Sequence, residues 1–287
     1  MLDGATGGNN AWAILALAAA YLQSGNLTYL NDAETIGDWI VGLLMDKSQV
    51  SFGGYSVGFP DAGVQPKTLI LGKSTENNAD IFAAFSLLAQ IETTRGNGSA
   101  AEQWTAEANV AGDFVMQMYD TTNGRFNTGT VSANPPSPPD PAGGNCQTPF
   151  VQKGNDILNT CDFRDSDSFT TLAMAVALRY QNLGWSAPLS YALNLPAPLS
   201  FSQSVMAQGL TFQGLDIVPA PPSTGITWEF TGQTADTCEY LYAIFAVSAF
   251  QNCFQTYSHL ILQAQNQAHG HGSIASPVLH QDGMPVS

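Results

Sequence analysis

Long segments with helical periodicity come in pairs, and within a pair only a few residues of Gly, Asn or polar turn separate the two. This most constrains the fold. Residues 9–24, NNAWAILALAAAYLQS, read as a helix stopped by Gly25. Residues 28–46 read as a second helix, with Tyr29, Ala33, Ile36, Ile40 and Leu44 recurring at helical spacing. A short Gly-Asn turn makes these two a helical hairpin. A second hairpin follows. Ser74-Thr75 supplies a helix-capping residue for a helix running to about Glu92, TTRGNGS is the turn, and residues 100–119 carry the stripe Trp104, Ala108, Ala111, Val115 and Met118.

Past residue 120 the pattern loosens and then resumes. Residues 121–164 form the longest irregular stretch, and NPPSPPDPAGG within it excludes helix or central strand. We read it as an insertion or lid, because helical segments continue on both sides. Residues 165–181 read as a fifth helix. A sixth falls at roughly 187–195 or 202–210. ITWEFTGQTADTCEYLYAIFAVSAF gives a seventh and residues 253–267 an eighth. The chain thus reads as one all-α domain over residues 1–268, with a mobile tail over 269–287.

The first helix of each pair opens on polar residues: GGNNAW, STENNAD, RDSDSF and WEFTGQ. Starts near Asn10, Asn78, Asp167 and Gln233 lie 68, 89 and 66 residues apart. Hairpins repeated in this way bury their apolar stripes on one another and close into an arc or ring. Such a ring gathers the polar openings at one mouth, where a binding site is expected.

Composition narrows the partners. There are 8 basic residues against 23 acidic ones, a net charge of −15, with no basic cluster. That excludes nucleic acid and other polyanions as partners. No stretch reaches the roughly 18 apolar residues of a membrane span. Only 11% of residues are charged, a polar-neutral balance typical of secreted or cell-surface proteins. Two sequons, Asn26-Leu27-Thr28 and Asn97-Gly98-Ser99, fit secretion. The N-terminus does not read as a signal peptide. Cys146 and Cys161 bracket a loop and can pair. Cys238 and Cys253, if joined by one straight helix, stand about 22 Å apart, beyond a disulfide's reach.

The candidate chemistry is carboxylate chemistry. Glu76 and Asp80 are four apart and share a face if the helix has begun by Glu76. They serve either as helix-capping acids that complement the dipole or as a general acid and base. Glu229 lies between Trp228 and Phe230, where partial desolvation raises a carboxyl pKa; otherwise it faces solvent or a salt bridge. Asn77 and Asn10 flank the openings, as does the aromatic loop carrying Tyr55. Trp12 and Trp228 offer sugar-stacking faces, with helical core as the other reading of Trp12. Asp165 and Asp167 either hold ligand hydroxyls or cap a helix. The neighbouring acids lack the spacing of a calcium loop, and no metal or cofactor is expected. All four histidines fall in the last 29 residues, away from the openings, which disfavours a His-based lyase, epimerase or triad. No GxSxG, P-loop or HExxH is present.

GGNNAW, the segment QSGNLTYLNDAETIGDWI, STENNAD before IFAAF, and WEFTGQ together resemble the six-hairpin glycosidase superfamily, and more narrowly its secreted bacterial members of undefined activity. The resemblance covers most of residues 4–250. It implies an (α/α) toroid whose inner helix openings line a saccharide cleft. It also implies acid-base glycosidic cleavage, usually inverting, with Glu76, Asp80 and Glu229 in the acidic roles. Asn10, Trp12, Tyr55, Asn77, Asp165, Asp167, Trp228 and Gln233 would contact the sugar. A complete toroid has twelve helices and eight are read here, so the ring is incomplete or a leading segment precedes this sequence. A glycan-binding or surface-assembly protein that has lost the chemistry is the alternative on the same fold.

Overall fold

A computed structural model describes residues 5–59, 69–134, 146–147, 149–174, 201–207, 210–217 and 225–267, except for the side chain of Asp165. The fold is predominantly helical. Seven helices occur among the described residues: α1 (Gly7–Ser24), α2 (Leu27–Leu44), α3 (Thr75–Arg95), α4 (Gly98–Gln117), α5 (Arg164–Met174), α6 (Trp228–Phe245) and α7 (Ser248–Gln267). Among them none is long and apolar enough to cross a membrane. The chain divides into two compact units, Met1–Asp120 with Phe126–Cys161, and Thr121–Arg125 with Asp162–Ser287. The expected tail over 269–287 and the 187–195 helix lie outside the described residues.

The first unit holds the two expected hairpins. α1 ends at Gly25 and α3 at Gly96, both left-handed (φ 69° and 77°), a conformation glycine reaches without cost. The next residue in each case, Asn26 or Asn97, starts the returning helix. α2 buries Leu30, Ala33, Gly37, Ile40 and Leu44. This is the expected stripe shifted by one position at two places, since Leu30 and Gly37 are inside while Tyr29 is exposed. Gly37 is needed there: a Cβ would sit 2.6 Å from the Trp104 ring. α3 buries residues around its whole circumference, from Thr75 through Phe85 to Glu92, and is therefore the central helix of this unit.

Short strands occur before α3, after α4 and within the stretch read as irregular. In chain order they are β1 (Lys73–Ser74), β2 (Tyr119–Asp120), β3 (Arg125–Phe126), β4 (Gly129–Ser132), β5 (Gln152–Lys153) and β6 (Asp156–Asn159). Four of them form an antiparallel sheet in the order β1-β4-β6-β5, with Lys73 opposite Thr130 and Ser132 opposite Asp156. β1 runs directly into α3, so the sheet fixes where α3 begins. Gly129 makes this possible. Its φ is 144°, and a Cβ there would lie 1.9 Å from the Lys73 carbonyl oxygen.

In the second unit α6 and α7 pair as a hairpin, and β7 (Ser202–Ala207) pairs with β8 (Leu210–Leu215) from Ser202↔Leu215 to Ala207↔Leu210. The 202–210 helix is thus corrected to a strand hairpin. β8 explains why: Phe212 and Gly214 turn inward while Thr211 and Gln213 turn out, a period of two. The reading of Cys238 and Cys253 is also corrected, while the pairing expected of Cys146 and Cys161 is present. Cys146–Cys161 and Cys238–Cys253 are both disulfides, with Cα atoms 4.9 and 5.9 Å apart. Ala246 takes a left-handed φ of 54° and ends α6, so α7 folds back and brings Cys253 beside Cys238.

Candidate active site

Two helix openings in the first unit meet. Thr6 caps α1, its hydroxyl oxygen accepting from the Asn9 amide at 3.2 Å. Ser74 caps α3, accepting from the Asn77 amide at 3.1 Å. Because α3 begins at Thr75, Glu76 and Asp80 are both helical, and the face-sharing condition holds. The glycine pair of GGNNAW lets α1 close onto α3. A Cβ on Gly8 would lie 2.1 Å from Asn77 Oδ1 and 3.2 Å from Asp80 Oδ2, and one on Gly7 would lie 3.0 Å from Ile81 Cδ1. Asn77 and Asp80 therefore lie directly over the first turn of α1. Sequence reasoning treated those glycines only as part of a polar opening. A doubled glycine at a helix start was the available signal for close backbone approach.

Around this junction the predicted residues divide. Glu76 and Asn77 are half-buried, and Asp80 is buried. Asn10 is half-buried and its amide donates to the Thr6 carbonyl at 2.7 Å, a cap-reinforcing bond. Trp12 is 47% exposed, so it is not core. Asn78, which the sequence reading used only to mark a helix opening, anchors the loop before β1. Its Oδ1 accepts from the Tyr55 amide (2.8 Å), and its Nδ2 donates to the carbonyls of Tyr55 (2.9 Å) and Ser74 (2.8 Å). Tyr55 corrects our reading. Its ring is fully buried edge-on to Phe85, and its hydroxyl donates to Glu107 Oε2 at 2.7 Å. Burial, reinforced by the Glu107 carboxylate, pushes its pKa upward. It offers no face to a sugar.

The remaining predicted residues belong to the second unit. α6 opens at Trp228, with Thr227 making no side-chain cap bond. Glu229 is exposed, which corrects the expectation that its aromatic neighbours desolvate it. Phe230 points inward at 7% exposure, and Trp228 packs edge-on to Phe212 in the cluster of Phe212, Ile226 and Ala264. Both rings are taken up by the core. Gln233 is buried, donating to Glu229 Oε1 (3.3 Å) and accepting from the Ser168 hydroxyl (3.1 Å). Asp167 is buried in α5. Around them Arg164 Nε donates to Thr234 Oγ1 (3.1 Å), and the Thr237 hydroxyl donates to the Ser168 carbonyl (3.1 Å). This set joins α5 to α6.

No protein-family model and no curated protein matches the sequence. Solved structures do. A family 76 glycoside hydrolase (mannosidase) from Bacteroides thetaiotaomicron superposes with a TM-score of 0.58 at 14% identity, over 97% of this chain and 63% of that one. Cellobiose 2-epimerase from Spirochaeta thermophila gives 0.64 at 16% identity, over 97% and 63%. An α-1,6-mannanase from Salegentibacter, an inactive variant with two consecutive aspartates replaced by asparagine and bound to α-1,6-mannotriose, gives 0.56 at 15%, over 99% and 68%. The chain has the (α/α) toroid fold of these proteins. It spans about half to two thirds of the length of the toroid proteins it matches.

Proposed function

We propose that this chain is a secreted carbohydrate-active protein, and that it cleaves glycosidic bonds by acid-base catalysis with Glu76 and Asp80 as its leading carboxylates. The observation that carries this reading is the junction at Gly8, where a buried acid and a half-buried acid stand in the first turns of a central toroid helix. The exposed Glu229 is the acid of the second unit's opening. Two disulfides support an oxidising compartment. The neighbours include both hydrolases and epimerases. The absence of any histidine near the helix openings favours the hydrolytic side, with inversion as the expected outcome.

A second reading has an observation of its own. The mannanase neighbour described as inactive carries asparagines in place of two consecutive aspartates, yet it holds its trisaccharide. In this chain no two acidic residues are consecutive, whereas Asn9-Asn10 and Asn77-Asn78 are paired amides at the openings of α1 and α3. That favours a toroid that binds saccharide without cleaving it. One experiment separates the two readings: a polysaccharide panel including α-1,6-mannan and cello-oligosaccharides, scored for reducing-end release with binding measured in parallel. Release that disappears in Glu76→Gln supports hydrolysis. Binding without release supports the second reading. Neither binding nor release sinks both.

A further inference from the structure

Close to the Gly8 junction, the first unit contains a cavity of about 170 Å³ lined by an ion triad, serine hydroxyls and a short apolar wall. At its base lies Lys73, 3% exposed. Its ammonium donates to Asp46 Oδ2 at 2.5 Å and also to Asp156. Asp156 is buried and additionally accepts from the Phe52 amide at 3.1 Å. Asp46 differs. Its Oδ1 accepts from the Ser48 amide at 2.8 Å, yet its side chain remains 21% exposed. Two carboxylates against one ammonium leave the triad with a formal charge of −1, which the Lys47 ammonium in the same lining offsets. An ammonium has three N–H donors, and the two carboxylates take two.

The chemistry of this lining suits a polyol. Asp46 presents a carboxylate with acceptor capacity at the rim, and Ser48 adds a hydroxyl. Leu69 and Leu71 supply an apolar edge. A pyranose ring matches both features, with a hydroxyl for the carboxylate and a C–H face for the leucines. The volume lies below the roughly 300 Å³ at which drug-sized sites begin, so it suits one ring rather than a chain. Its position also fits. Lys73 immediately precedes the Ser74 cap of α3, and Ser56, which lines the cavity, has its carbonyl oxygen 3.7 Å from where a Cβ on Gly7 would be. The cavity is therefore at the same end of α1 and α3 as Glu76 and Asp80.

We propose that this cavity is a binding site for one neutral monosaccharide unit, with Asp46 accepting from one of its hydroxyls and Leu69 and Leu71 against its C–H face. The inference deepens the saccharide reading above and rests on it for the class of ligand. The test is calorimetry and saturation-transfer NMR on the full chain with methyl α-D-mannopyranoside and methyl β-D-glucopyranoside. At least one of the two binds saturably. Asp46→Asn keeps Lys73 paired with Asp156 and weakens the neutral glycoside at least ten-fold. Leu71→Trp, at an exposed position on the rim, blocks entry and abolishes binding without changing the melting temperature. No glycoside binding to folded protein, binding untouched by Leu71→Trp, or binding untouched by Asp46→Asn overturns the proposal. Hydrolysis of a polysaccharide with no glycoside binding removes this site and leaves the enzymatic reading. Glycoside binding that Leu71→Trp abolishes, without any hydrolysis, removes that reading and leaves this site.

Discussion

The openings of α3 and α6 look alike in sequence and differ in the folded chain. Each has a glutamate at the second helical position, Glu76 or Glu229, and an amide within the next few residues. In α3 the cap is made by Ser74, an acid is buried (Asp80), and the neighbouring helix comes close through Gly8. In α6 no side chain caps the helix, the acid is exposed, and the buried amide Gln233 is tied to Ser168 of α5. The lesson is that polar residues at a helix start do two separate jobs. In the second unit they connect helices, where each buried polar group needs its partner. In the first, the buried amide Asn78 ties the Tyr55 loop to α3, while Asp80 lies over Gly8 with Glu76 one turn before it. The α3 opening is therefore where we place the proposed chemistry.

The largest expected effect tests this directly. Glu76→Gln lowers kcat on whichever polysaccharide is cleaved by about 10²–10⁴-fold, the range for losing a general acid or base, with the melting temperature unchanged. Glu229→Gln, at an exposed position, loses less than ten-fold. Equal losses in the two variants would break the comparison. Next comes the α6–α7 hairpin. Replacing Cys238 and Cys253 together by Ser removes a crosslink with a sequence separation of 15, which costs about 3 kcal/mol on the loop-entropy account. Urea unfolding measures it, and a loss under 1 kcal/mol would mean that packing alone holds that hairpin.

How much of this was legible follows from the range of each signal. The hairpins were, because helical period and the Gly-Asn turns are local: Gly25-Asn26 and Gly96-Asn97 sit where the pattern required. The β1-β4-β6-β5 sheet was not. Its strands are two to four residues long, too short for a period to emerge, and its register depends on pairing Lys73 with Thr130. The Cys238–Cys253 bridge was hidden because the turn before α7 is made by a left-handed alanine, Ala246, rather than by glycine. Tyr55 looked available because aromatic residues in a Gly-rich loop are often exposed. Asn78 folds that loop inward instead, through bonds to a backbone 23 residues away. The acids of α3 were found from the sequence, but their placement over Gly8 needs the α1–α3 crossing, which no local pattern encodes.

Two further variants sharpen the comparison at lower amplitude. Thr234→Val leaves the Arg164 Nε without its 3.1 Å acceptor in a buried setting, at a cost of about 1–3 kcal/mol. Urea unfolding registers that loss, and kcat at temperatures well below melting stays as in the unmodified chain. Ser74→Ala removes the α3 cap and costs about 1 kcal/mol. Unlike Thr234→Val, it also lowers kcat, because it loosens the turn that carries Glu76. A Ser74→Ala variant with unaltered kcat would separate the cap from the chemistry.

The smallest effect is one of pH, and it too divides the units. Burial pushes the Asp46 carboxyl up, but the Lys73 ammonium, the Ser48 amide and the Ser51 hydroxyl outweigh that and hold it below its ordinary value of 3.8. In the window between the depressed and ordinary values the unfolded chain binds more protons, so stability rises with pH there. The contribution of Asp46 is fully present above the ordinary value and is lost as pH falls through the depressed one. Urea unfolding of the unmodified chain and Asp46→Asn, followed from pH 6 down to pH 3, reads this as a gap between the two that narrows only at the acid end. The gap opened by Thr234→Val involves a hydroxyl and a guanidinium that do not titrate in that range, so it stays constant. If the Asp46 gap also stays constant to pH 3, protonation does not reach the bond to Lys73 in that range, and that bond is as insensitive to acid as the contact of Thr234 with Arg164.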